Sequence, residues 1–238
     1  GFGASSNAFD TQVGTVAGRT IDGAVFLQDS ADDLIIGSTQ ASSEVVAADS
    51  SITVNAVAPL SGIVTGGADA SIVVTQTTGS INSIAPVSAA GSGNILLDAA
   101  GALALNADVS SGSGNITLIG TSGVSLASSV TAQTAGTGTI DVSSLEGGLT
   151  MATDSSITAL DGDVVVETSE DVRVAGITTN ADVSLTSTAG SILDNQADRI
   201  NVSASSLRFD ANAGFGASSN AFDTQVGTVA GRTIDGAV

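Results

Sequence analysis

The chain contains no cysteine, histidine, lysine, tryptophan or tyrosine. Without Cys there is no disulfide and no thiolate metal site. Without His, Lys, Tyr or Cys, acid–base chemistry would have to rest on paired carboxylates. Five Arg face 24 acidic residues, for a net charge of −19. That leaves no basic footprint for nucleic acid and nothing to attract the chain to an anionic membrane surface. No apolar run approaches the roughly 20 residues that a bilayer span needs, so membrane insertion is not expected. Proline occurs only at Pro59 and Pro86, so there is no Pro-rich linker to separate domains.

What the chain does have is aliphatic and small polar residues. Val, Ile, Leu and Ala supply nearly all of its 42% hydrophobic content, with Gly, Ser, Thr, Asn and Asp between them. β-Branched residues mixed with turn formers predict short strands joined by tight turns. A disordered low-complexity chain would lack this aliphatic content.

Residues 1–25 recur without substitution as residues 214–238, an offset of 213. Gly1 returns as Gly214, Phe9 as Phe222, Arg19 as Arg232 and Val25 as Val238. The domain reading is one continuous segment over 1–238: a 213-residue tandem repeat (1–213) and the first 25 residues of the next copy (214–238). The chain ends in what reads as a strand, so it is expected to be an excerpt of something longer. The duplicated block holds one Arg and two Asp, which leaves −18 for one period. Tandem arrays are usually built for length and stiffness.

A shorter period runs inside the long one. Gly93-Asn94-Ile95, Gly114-Asn115-Ile116, Gly138-Thr139-Ile140, Gly162-Asp163-Val164 and Ala181-Asp182-Val183 open successive units, with further members at Val25, Val45, Ile72 and Leu207. A second apolar pair follows each, as in Leu103/Leu105, Val124/Leu126, Leu149/Met151 and Val172/Val174. A third element follows at Val109, Val130, Ile157, Ile177 and Ile200. Apolar residues alternate within each element, which is the strand period. Three short strands per unit of about 22 residues describe one coil of a parallel β-helix. A sandwich would also show short strands, but it need not repeat a three-part template. The fold class expected is all-β, a right-handed parallel β-helix (β-solenoid) with three short strands per coil and about 9–10 coils per repeat. At about 4.8 Å per coil the rod gains roughly 45 Å per repeat and carries about one negative charge per 2.5 Å.

Candidate sites are few. Asp161, Asp163 and Glu167 lie near Glu170 and Asp171, and turn carboxylates can bind Ca²⁺. These three are the metal candidates. No cofactor is required by the pattern, and Ca²⁺ is the only one it suggests. Asn94 and Asn115 occupy matching places in successive coils, where stacked carboxamides would form a structural ladder along the axis. The longest coil step, 31 residues from Leu207 to Val238, falls where the chain concentrates its Phe and Arg. Arg199, Arg208, Phe209, Phe215, Phe222 and Arg232 are therefore candidates for lateral contact with the acidic turns of another rod. Parallel β-helix enzymes that act on polysaccharides use acidic residues, often with Arg or Lys. No such group forms at one cleft-forming loop here, and no catalytic residue is assigned.

The stretches Ser191-Ile192-Leu193-Asp194-Asn195, Ser206-Leu207-Arg208-Phe209 and Thr224-Gln225-Val226-Gly227-Thr228-Val229-Ala230 resemble a recurring segment of giant filamentous-haemagglutinin-like bacterial adhesins. The Gly-Asn-Ile-x-Leu coils are similar to the same family. The resemblance implies a right-handed β-helical rod exported to the extracellular space or the bacterial cell surface. It implies a stalk or fibre repeat whose partners are adjacent repeats, neighbouring rods, and an extracellular polysaccharide or host surface. The alternative is a matrix module that binds Ca²⁺ or polysaccharide. No functional residue of the family carries over.

Overall fold

A computed structural model describes residues 1–196 and 199–236. Val238, expected to lie in a strand, falls outside the described residues. The chain is all-β, and its parallel strands stack as a solenoid of about nine turns. Each full coil has three faces. The first face carries the longest strands: Val25–Asp29, Ile72–Gln76, Ile95–Ala99, Ile116–Gly120, Ile140–Ser144, Val164–Thr168 and Asp182–Ser187. The second is a nine-stranded parallel sheet running from Thr15–Val16 through Leu103–Leu105 to Gly214–Phe215. The third includes Ile63–Thr65, Val87–Ala89, Val109–Ser111, Thr131–Thr134 and Ser156–Ala159. In the last coils the third and first faces merge into single ten-residue strands, Val202–Ala211 and Thr224–Thr233.

Alternation in the sequence becomes alternation in burial. Along Ile95–Ala99 and Ile116–Gly120, buried and half-buried residues follow each other in strict turn. The register is in phase from coil to coil: Ile72 pairs with Ile95, Ile95 with Ile116, and Ile116 with Ile140. The inward side chains therefore form columns, such as Leu97, Leu118, Val142 and Val166. Each such fully buried aliphatic side chain contributes about 1.5–3 kcal/mol from leaving water. Corners are closed by buried hydroxyls that donate to backbone carbonyls. Ser111 donates to Gly93 O at 2.8 Å, Thr168 to Glu170 O at 2.7 Å and Thr179 to Gly162 O at 2.6 Å.

Three sequence assignments shift. Val45 does not begin a coil, because Val25 pairs directly with Ile72 and residues 38–61 leave the solenoid as an antiparallel excursion. On the third face, Ala132 rather than Val130 aligns with Val109, and Val202 rather than Ile200 aligns with Ile177. Val130 is still buried, at a corner, whereas Ile200 is exposed. The long step from Leu207 to Val238 is absent: Leu207 pairs with Val229, so the next coil closes after 22 residues.

Gly62 shows why the excursion returns where it does. Its φ is +72°, and a Cβ there would fall on the Pro86 carbonyl oxygen of the next coil. Gly62 N donates to Gly37 O at 2.8 Å, so the two ends of the excursion meet and the coil beneath it is not interrupted.

Candidate functional site

The Asn pair does form a ladder, through the backbone. Asn94 Oδ1 accepts the Asn115 N–H at 2.8 Å, and Asn115 Oδ1 accepts the Thr139 N–H at 2.9 Å. One rung earlier the Asn94 N–H donates to Ser71 Oγ at 3.1 Å. Each carboxamide thus satisfies the N–H of the next coil at a corner that no strand covers.

Asp163 belongs to the same device. Its Oδ1 accepts the Asp182 N–H at 3.1 Å, and Asp182 Oδ1 accepts the Ser206 hydroxyl at 2.7 Å. Asp161 Oδ1 accepts the Asn180 side-chain amide at 3.0 Å. Glu167 stands on the outside of the first face beside Ser143. Its closest charged relation is Asp141, whose pKa is raised first by burial and then by the Glu167 charge. Among the described residues no three acidic side chains converge in an arrangement fit to hold a metal ion.

The Phe and Arg candidates divide. Phe209 points into the core and is buried, and Phe215 and Phe222 pack against that core. The Phe209 and Phe215 rings stack at 3.8 Å, and Phe222 follows at 4.6 Å from Phe215. These rings fill the widened end coil rather than face a neighbouring rod. The Arg side chains lie on the surface, but each has a carboxylate on its own chain. Arg199 pairs with Asp154 at 2.7 Å. Arg208 and Arg232 both reach Asp210, whose pKa they lower, with Arg232 Nε at 3.0 Å.

The least expected feature is that the duplicated block takes two different places. Some local geometry is common to both. Ala4 and Asn7 exchange backbone hydrogen bonds at 2.9 and 3.0 Å, as Ala217 and Asn220 do at 3.1 Å. Gly3 and Gly216 have φ of +69° and +72°, and the Thr20 and Thr233 hydroxyls donate to Gly23 O and Gly236 O.

The pairing differs. In the first copy Phe9–Thr11 lies on the first face beside Leu27–Asp29, and Gly18–Thr20 lies on the third beside Ile63–Thr65. In the second copy the residues equivalent to Gly18–Thr20, Gly231–Thr233, lie on the first face beside Phe209–Ala211. Arg232 consequently meets Asp210, whereas Arg19 has no ion pair among the described residues.

Each placement has its own buried polar anchor. In the first, Asp29 is fully buried: Oδ1 accepts the Thr11 hydroxyl at 2.6 Å and the Val13 N–H at 3.0 Å. Asp29 Oδ2 accepts the Ala31 N–H and the Gln76 side-chain amide, both at 3.0 Å. In the second, fully buried Asn201 accepts the Asp223 N–H at 2.8 Å and donates to Val174 O at 3.0 Å.

One continuing chain cannot hold both placements at a junction. Val25–Asp29 begins on the first face five residues after Thr20, and the second placement leaves Thr233 on that same face. The shortest coil, from Val164 to Val183, takes 19 residues to return to a face.

Two other surfaces stand out. The excursion is a hairpin arm, Ser42–Val46 against Ile52–Ala56, with every residue exposed. Val46, Ile52 and Val54 lie on one of its faces and are 61–68% exposed. Across the second sheet runs a shallow open groove lined by Ser122, Ser125, Thr150 and Glu170, with Arg173 donating to Asp171 at 2.8 Å. The chain matches no family model, no curated protein and no solved structure.

Proposed function

We propose that this chain is a structural repeat of a long filament or adhesin stalk, secreted or held at a bacterial cell surface. Its work is mechanical. Backbone hydrogen bonds run between coils along the rod, and each coil buries its aliphatic residues against the next. The observation that carries this reading is the duplication itself, set on a solenoid whose inward columns run without a break from Val25 to Leu207. A solenoid coil cannot bury its own faces, so stability comes from neighbours, and a following copy supplies them. The high acidic charge fits a rod that stays soluble and resists side-by-side collapse. On this reading the chain is not an enzyme, and its first partner is the adjacent repeat.

The test is electron microscopy of covalent two- and three-copy chains. Rods that lengthen by roughly 43 Å per added copy, nine coils at about 4.8 Å, are expected. Globular particles, or separate beads joined by flexible chain, would defeat the reading.

A further inference from the structure

We propose that the second block of one chain can occupy the place held by the first block on another copy of this chain, a strand exchange that joins chains head to tail. The proposal rests on the end-to-end stacking argued above and names the surface that would perform it. The docking site is the outer edge of the Val25–Asp29 coil. Its occupant is already visible, because residues 1–21 sit on it and residues 214–234 have the same sequence.

The contacts are specific. Phe9, Asp10 and Thr11 pair with Leu27, Gln28 and Asp29. The Phe2 N–H donates to Ala24 O at 3.1 Å, and Phe2 O accepts the Phe26 N–H at 3.0 Å. The Gly18 N–H donates to Gly62 O at 2.9 Å, and Gly14 O accepts the Ile35 N–H at 3.0 Å. Asp29 closes the site by accepting from Thr11 and Val13. Every one of these donors and acceptors exists again in the second block, at Phe215, Phe222, Thr224, Val226, Gly227 and Gly231.

Exchange is nearly balanced at this site, because an identical segment leaves as the other arrives. The incoming block gives up its pairing with Val202–Ala211 and the Arg232–Asp210 contact. In return, the last coil of one rod comes to lie against the first coil of the next. The tethered first block competes with an effective concentration in the millimolar range, so exchange is slow and rises with protein concentration.

A cysteine-free chain allows a clean test with the full-length protein. Asp10 and Gln28 are exposed register partners, and Asp223 is the second-block counterpart of Asp10. Chains carrying Asp223→Cys are mixed with chains carrying Gln28→Cys, incubated concentrated below the melting temperature, and oxidised. A chain carrying the exposed Ser128→Cys replaces the second partner as a control for random collision. Disulfide-linked dimers at least fivefold more abundant with Gln28→Cys than with Ser128→Cys, and suppressed by excess peptide of residues 1–23, are expected. Equal cross-linking to both partners, or dimers indifferent to the peptide, would overturn the proposal. The covalent two-copy rods keep the two ideas apart: continuous rods without exchange leave the stalk reading intact and remove this one.

Discussion

The Thr11 hydroxyl donates to Asp29 Oδ1 at 2.6 Å, bridging two coils through a carboxylate that has no exposure to solvent. Burial alone would raise the Asp29 pKa, but the hydrogen bonds from Thr11, Val13, Ala31 and Gln76 outweigh it and hold the group below the usual carboxylate range. The folded pKa is depressed, so this stabilisation is present above the unfolded value of about 3.9 and is lost as pH falls through the folded one. Protease cleavage within residues 1–24 is expected to rise in acid while the central coils stay resistant. Asp29→Ala leaves two N–H groups and the Gln76 amide without their acceptor. It is expected to loosen the same segment at neutral pH by roughly 2–4 kcal/mol, read by hydrogen exchange.

Asn115→Ala removes the acceptor of the Thr139 N–H and is expected to cost about 0.5–1.5 kcal/mol in a thermal melt. Asn115→Asp keeps an acceptor oxygen and should lose less. Equal losses for the two variants would mean that the side-chain oxygen is not what matters.

Replacing residues 40–59 with a two-residue turn is expected to leave the melting temperature within a degree or two. The arm packs none of its residues against the core, and the Gly62–Gly37 hydrogen bond already holds its base closed. A large drop in melting temperature would show that the arm folds back on the rod.

Asp141 sits half-buried on the outer first face with Glu167 nearby, and its pKa is raised. The folded state therefore holds its proton more tightly than the unfolded chain does. Stability from this group falls as pH rises from the unfolded pKa through the folded one. Asp141→Asn is expected to stabilise the protein by about 0.5 kcal/mol at pH 7 and by nothing at pH 3, compared by melting at the two values.

Most of the solenoid was legible because coil after coil repeats one alternating template, and alternation maps onto a core column. Leu103/Leu105 through Val172/Val174 landed on the second face as read. Val45 misled because a hairpin strand alternates in the same way as a coil strand, and nothing local marks its partner as antiparallel. Val130 and Ile200 misled because each sits two residues before a smaller side chain that fills the register place. The Asn pairing was visible from equal positions in adjacent coils. Asp29 was not, since its partners Thr11 and Gln76 lie 18 and 47 residues away. The double placement of the block lay beyond sequence reading altogether, because identical residues cannot announce two registers. What separates them is the neighbour: Asp29 on one side, Asn201 on the other.

The coils are joined in series. Tension along the rod loads every inter-coil layer equally, and within a layer the hydrogen bonds of all three faces share it. Such a fibre breaks at its thinnest layer, whatever its length. Among the regular coils the thinnest involves Ile177–Thr178, a two-residue strand on the third face in the coil with the shortest step. Adding copies would therefore extend reach without adding tensile strength, and each copy would bring one more weak layer of the same kind.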